Sequence, residues 1–161
     1  MTSISPDYDV VVIGGGPAGS TTSTLIAQQG RRVGLFERER FPRFHIGESL
    51  LPYNREIFRE LGVLETLQAE CFPKKYGAQF FVANGSKSVK FVFANGMFTR
   101  EKEAIQVERA KFDHILLKNA RSSGVEVREG WTVTRFSDGD TQTQVEATDP
   151  EGKTHQFTGK L

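Results

Sequence analysis

The chain has 161 residues, of which 37% are apolar and 25% charged, with a net charge of +1. Those values suit one soluble globular domain and offer neither a basic footprint for nucleic acid nor an acidic tail. The single cysteine, Cys71, excludes a disulfide framework and a CxxC pair.

His45, His114 and His155 are scattered and lack zinc-ligand spacing. No apolar run reaches the ~20 residues of a membrane span. The opening "MTSISPDYD" is too polar and too short for a secretory signal. A reducing, cytoplasmic setting is therefore expected.

Val10 to Ile13 form a β-branched run bounded by glycine, which predicts a buried strand of a parallel sheet. It leads directly into Gly14-Gly15-Gly16-Pro17-Ala18-Gly19. The small and apolar residues from Ala18 to Gln29 predict a helix lying close against that sheet, stopped at Gly30. A second strand is predicted from Arg32 to Phe36, ending at Glu37.

Strand, glycine turn, helix, strand and acid together form a dinucleotide-binding pattern with a mechanical reason for each part. Gly14 permits the tight turn, Gly16 lets backbone approach a pyrophosphate, and Gly19 lets helix and strand pack closely. Unpaired N–H groups and the dipole at the helix N-terminus favour the phosphate charge. Glu37, about twenty residues on, can accept from ribose hydroxyls, and an acid there disfavours a 2′-phosphate. The motif alone does not separate NAD from FAD.

The opening "DVVVIGGGPAGS" resembles that of FAD proteins of the two-dinucleotide-domain and aromatic-hydroxylase type. The stretch "RRVGLFERERFPRFHIGESLLP" is similar to the flavin-dependent halogenases and their oxygenase and reductase relatives, in which the ribose-binding acid precedes a basic loop and a "GES" or "GEA" element. The resemblance runs from about Asp7 through Arg128. It implies FAD, with Gly14, Gly16, Pro17, Ala18 and Gly19 at the pyrophosphate and Glu37 at the ribose. It further implies that Arg38 and Arg43 contact the cofactor from the basic loop and that Gly47, Glu48 and Ser49 lie along the flavin. Local readings stand beside these. The Gly-Glu-Ser-Leu-Leu-Pro stretch could start a helix with Glu48 or Ser49 near its cap, and Arg43 or His45 could be a solvated loop charge.

Ile57, Phe58, Leu61 and Leu64 recur at helical spacing with charged residues between, predicting an amphipathic helix that ends at Gly62 and a second short helical turn. "FPKKYGAQF" follows. In the halogenases that the chain resembles, a lysine precedes a strand-opening aromatic at the spacing that separates Lys75 from Phe80, and Lys74 is one residue out of register. The resemblance implies that reduced FAD and oxygen convert halide to hypohalous acid, which the Lys75 ammonium hydrogen-bonds or captures as a chloramine. Lysine's compact charge suits either role. The bland alternative is a lysine in a connecting turn.

Asn84-Gly85 and Asn95-Gly96 are turn signals, and the flanking "GAQFFVANGSKSVKFVFANGMF" predicts an antiparallel sheet inserted into the nucleotide fold. Such a sheet suits a substrate-pocket wall, with its phenylalanines read mainly as core. "AIQVERAKFDHILLKNARSSGVEVREG" predicts a strand, a helix buried through Phe112, Ile115, Leu116 and Ala120, and a further strand. By resemblance Arg109 or Gln106 lies near the cofactor; locally Arg109 reads as a helix-start charge, and Lys111 and Asp113 as solvated. The tail predicts a three-stranded meander with turns at Asp138-Gly139 and at Asp149 to Gly152.

The expectation is a mixed α/β, Rossmann-like FAD-binding domain with a parallel sheet and an inserted antiparallel sheet, incomplete at its C-terminus. Its parts are 1–50, 51–103 and 104–161. The implied activity is halogenation of an aromatic or carrier-protein-tethered substrate with reduced FAD, oxygen and halide. A separate flavin reductase is implied, because no second nucleotide loop follows. The rivals on this fold are a hydroxylase or geranylgeranyl-reductase-like enzyme, and a non-catalytic flavin- or prenyl-binding escort module.

Overall fold

The computed structural model describes residues 5–139 and 141–160. Met1 to Ile4 of the polar N-terminus and the Leu161 end of "FTGKL" lie outside the described residues. In chain order the elements begin with β1 (Val10–Ile13), α1 (Pro17–Gln28), β2 (Val33–Glu37), α2 (Asn54–Glu60) and α3 (Leu64–Ala69). Then come β3 (Lys74–Lys75), β4 (Gly77–Phe81), β5 (Ser88–Val92), β6 (Ala104–Ile105) and α4 (Arg109–Ser122). The last four are β7 (Glu126–Glu129), β8 (Thr132–Asp138), β9 (Gln142–Thr148) and β10 (Thr154–Lys160). Among the described residues no helix is long and apolar enough to cross a membrane. The chain divides into two compact units, Met1–Phe44 with Asp113–Leu161, and His45–Phe112.

In the first unit a parallel sheet runs in the order β1-β2-β7, with Val10 opposite Val33 and Gly34 opposite Glu126. The central strand β2 is buried at every position, as a parallel strand covered on both faces must be. Val33 and Leu35 pack with Leu117, Ala120 and Val125 on one side, while Phe36 packs with Tyr8 and Ala147 on the other. Helix α1 starts at Pro17, one residue before the predicted start, because proline's fixed φ and missing N–H suit the first helical position. Its buried face carries hydroxyls rather than large apolar groups. Ser20 donates to the Gly15 carbonyl at 2.8 Å and Thr24 donates to the Ser20 carbonyl at 2.7 Å, so burial leaves neither unpaired. The predicted meander forms as an antiparallel sheet β10-β9-β8.

In the second unit the predicted amphipathic stripe is realised through Phe58 and Leu61, joined by Val63 and Leu67, all buried. Strands β4 and β5 pair around the Asn84-Gly85 turn, with Phe80 opposite Val89. The core reading of their phenylalanines is corrected: Phe80 is 62%, Phe81 66% and Phe91 54% exposed. These strands form a two-stranded sheet, and a hairpin of that size is too small to bury its own side chains. The Phe80 and Phe91 rings meet edge-on at 5.6 Å. The helix-cap reading of Glu48 and Ser49 is also corrected: α2 begins only at Asn54, and Ser49 forms an isolated β-bridge with Gln106.

The turn from β9 to β10 depends on one carboxylate. Asp149 Oδ1 accepts from the N–H groups of Glu151 and Lys153, both at 2.9 Å, and Oδ2 lies 2.7 Å from His155 Nε2. The hydrogen bond from His155, followed by the backbone N–H of Lys153, holds this carboxyl below its ordinary range. A depressed carboxyl pKa stabilises the fold fully above the unfolded value and progressively less as pH falls toward the folded one. The Lys153 amide is therefore expected to exchange faster with deuterium as pH drops below about 4, after correction for intrinsic exchange. Asp149→Asn should remove that pH dependence.

Candidate functional site

The glycine turn between β1 and α1 is built for close approach. Gly14 has φ +100°, a conformation that side-chain-bearing residues rarely adopt, and its N–H donates to the Phe36 carbonyl at 2.8 Å. A Cβ on Gly19 would stand 1.8 Å from the Gly14 carbonyl oxygen, so only glycine lets the helix start this near the strand. The N-terminus of α1 has no side-chain cap and no acidic residue in its first turn. Pro17 has no N–H, so the backbone N–H groups of Ala18 and Gly19 are the orphan donors that, with the positive dipole end, suit an anion.

Glu37, at the end of β2, is 5% exposed. Its Oε2 accepts from the Gly15 N–H at 2.7 Å and its Oε1 from the Glu39 N–H at 2.8 Å. Each carboxylate oxygen keeps a further lone pair with which to accept from a hydroxyl. Gly15 was not singled out from the sequence, yet a Cβ there would lie 3.1 Å from both Glu37 Cβ and Leu117 Cδ1. The consecutive glycines were the available signal.

The Arg43 side chain is 12% exposed. Its Nε lies 2.9 Å from Glu39 Oε2, its Nη1 3.5 Å from Asp113 Oδ2, and its guanidinium carbon 4.6 Å from the centre of the Phe41 ring. Both Nε and Nη1 are buried without a well-directed hydrogen bond, so these carboxylates balance the charge without saturating the donors. Nη2 lies 3.5 Å from where a Cβ on Gly16 would stand, at the mouth of the glycine turn. The solvated reading of Asp113 is corrected: its side chain is completely buried because it faces Arg43, and a buried charge persists only when paired. Lys111 is exposed as read, and Arg38 is exposed too.

The second unit holds the other predicted residues. Arg109, at the start of α4, donates through Nη1 to the Ile46 carbonyl at 2.7 Å and to the Gly47 carbonyl at 3.3 Å. Gly47 has φ +110°, and a Cβ on it would meet that guanidinium at 2.9 Å. Arg109 thus clamps the loop before Glu48. The Glu48 carbonyl accepts from the Val107 N–H at 2.8 Å, while its side chain is exposed with His45.

The adjacent lysines diverge because β3 is a strand, whose successive side chains point to opposite faces. Lys74 Nζ lies 3.1 Å from Glu103 Oε1. Lys75 Nζ donates to Ser49 Oγ at 2.6 Å and stands 5.3 Å from the centre of the Phe93 ring. Phe93 also lines an open apolar cavity of about 610 Å³ with Leu51, Tyr53, Phe80, Phe91 and Phe98. That volume is within the range of small-molecule sites.

The structure therefore assembles Gly14 to Gly19, Glu37 and Arg43 in the first unit. In the second it assembles Gly47 with Arg109, and Ser49 with Lys75. A cradle without room for a Cβ, an uncapped helix N-terminus and a guanidinium end at the same turn fit the pyrophosphate of a dinucleotide.

The chain belongs to the FAD binding domain family, whose model matches residues 7–161. Among curated relatives it is 40% identical to the 1H-pyrrole-2-carbonyl-[peptidyl-carrier protein] chlorinase of Pseudomonas fluorescens, aligned over 77% of this chain and 31% of that one. It is 41% identical to the tryptophan 2-halogenase of Chondromyces crocatus, over 79% of this chain and 23% of that one. The solved structure of the myxobacterial chondrochloren halogenase superposes with a TM-score of 0.84 at 37% identity, covering 94% of this chain and 35% of its own. The chain thus spans about a quarter to a third of the length of these relatives.

Arg43→Ala is expected to weaken FAD binding about 10- to 100-fold, the loss of charge-assisted hydrogen bonds, read by titration of flavin fluorescence. Gly19→Ala should cost about 1–3 kcal/mol of stability through overpacking, read by thermal unfolding, with FAD affinity falling alongside.

Proposed function

We propose that the protein is a flavin-dependent halogenase, acting on an electron-rich aromatic ring that is free or tethered to a carrier protein, with Lys75 as the halogen-handling residue. The observation that carries this reading is the contrast within the lysine pair. Lys74 is neutralised by Glu103, whereas among the described residues no carboxylate lies within ion-pair distance of Lys75. Its charge is left available to an incoming electronegative group. The named activities of the similar proteins support the same reading.

Gly14, Gly16, Pro17, Ala18 and Gly19 would hold the FAD pyrophosphate, with Arg38 and Arg43 supplying cationic support. Glu37 would accept from the ribose. Gly47 and Glu48, on the loop clamped by Arg109, would lie along the flavin. When bound, fully reduced FAD would supply two electrons and two protons that, with a halide and one further proton, turn oxygen into one water and one hypohalous acid. Lys75 then hydrogen-bonds the hypohalous acid and turns its halogen toward the ring. The ring carbon takes the halogen, and the displaced proton leaves with hydroxide as water. Oriented, uncompensated donors of this kind typically matter by factors of ~100–1000. A separate reductase would supply the reduced flavin, and the free, exposed Cys71 suits a reducing cytoplasm.

The test uses full-length protein with photoreduced FAD, oxygen and bromide, offered phenol, pyrrole or indole and analysed by product mass. Brominated product is expected, falling about 100-fold or more in Lys75→Ala and only a few-fold in Lys74→Ala. Hydroxylated product, or hydrogen peroxide alone from every form, would overturn the halogenase assignment in favour of a hydroxylase or a non-catalytic flavin binder.

A further inference from the structure

We infer that Ser49 and Phe93 are positioning residues for Lys75, and that Ser49 serves the lysine rather than the cofactor. This rests on the halogenase reading and deepens it. Ser49 Oγ accepts from Lys75 Nζ at 2.6 Å, and the Phe93 ring lies 5.3 Å from the same nitrogen, within the ~6 Å range of a cation–π contact.

Both partners are held by backbone pairing rather than by their side chains. The bonds from Leu50 N–H to the Ile105 carbonyl at 3.2 Å and from Val107 N–H to the Glu48 carbonyl at 2.8 Å fix Ser49 against Gln106. Lys75 pairs with Ala104 in that same segment of chain. Ser49 and Lys75 therefore flank one strand, and their separation is set by the sheet. Phe93 is anchored by its own N–H, which donates to the Tyr76 carbonyl at 2.9 Å, one residue beyond the lysine.

The chemistry of the two partners matters as much as their placement. An ammonium has three donors. Ser49 takes one through a neutral oxygen, and the ring face attracts the charge without cancelling it. The remaining donor capacity is aimed, and the charge stays whole. A carboxylate in place of Ser49 would hold the lysine as firmly but neutralise it, as Glu103 does for Lys74. Lys75 is half-buried and Ser49 exposed, so a small molecule has access to the pair.

The experiment compares wild type, Ser49→Ala, Ser49→Thr, Ser49→Asp and Phe93→Leu as full-length protein with photoreduced FAD, oxygen, bromide and phenol. It reads the ratio of bromophenol to hypobromite captured by a scavenger, and separately the affinity for FAD. In the productive step the phenol carbon takes bromine from HOBr, and the ring proton and hydroxide leave as water. Escaped HOBr is the unaimed alternative. The ratio should fall about tenfold in Ser49→Ala, recover to within about threefold in Ser49→Thr, and fall at least as far in Ser49→Asp as in Ser49→Ala. It should also drop in Phe93→Leu, with FAD affinity unchanged throughout. If FAD affinity falls together with product in Ser49→Ala, Ser49 is a cofactor contact and the inference fails. It fails alone if Ser49→Ala keeps the wild-type ratio while Lys75→Ala abolishes product. Absence of any brominated product from wild type would instead sink the halogenase reading, and this inference with it.

Discussion

The carboxylate of Glu37 joins the elements of the nucleotide-binding unit. It terminates β2, which is buried along its whole length, and it holds the Gly15 N–H at 2.7 Å. The glycine turn is thereby tied to the central strand, and the start of α1 follows from it. The close contacts around Gly15 and Gly19 leave no space for side chains. A turn without side chains exposes backbone donors, and exposed donors at a helix start attract anions. The same acid has lone pairs left to bind a hydroxyl, so one residue can both shape the site and take part in it.

The charges of this unit follow a related logic. Arg43 is almost entirely withdrawn from water and is tolerated there because Asp113 and Glu39 face it. Buried ion pairs add little net stability but make the loss of either partner expensive. Their poor hydrogen-bond geometry leaves Nε and Nη1 incompletely satisfied, while the other guanidinium nitrogen points at the glycine turn. A guanidinium held by charge but not saturated by hydrogen bonds suits a phosphate ligand.

The second unit works by alternation. Two neighbouring lysines of identical chemistry are separated by the pleat of a two-residue strand. One meets a carboxylate, the other a hydroxyl and an aromatic ring. The rings of β4 and β5 are exposed for a similarly simple reason, since a two-stranded hairpin is too small to bury its own side chains. Phe93 connects the two features, lying beside Lys75 and lining the apolar cavity.

What the sequence determined by itself was whatever short-range rules control. The β-branched run, the glycine spacing, the proline at the helix start, the helical apolar stripe and the Asn-Gly turn all act over a few residues. Each produced the predicted element to within a residue or two. The dinucleotide turn and its acid were legible for that reason. Tertiary structure decided the matters that depend on distant partners. Asp113 looks solvated until Arg43 is folded against it, and the Phe80 and Phe91 rings look like core until their sheet proves to have two strands. Lys75 cannot be distinguished from Lys74 by composition at all. Only strand pairing, which brings Ser49 and Glu103 to opposite faces of β3, gives the two lysines different electrostatic surroundings.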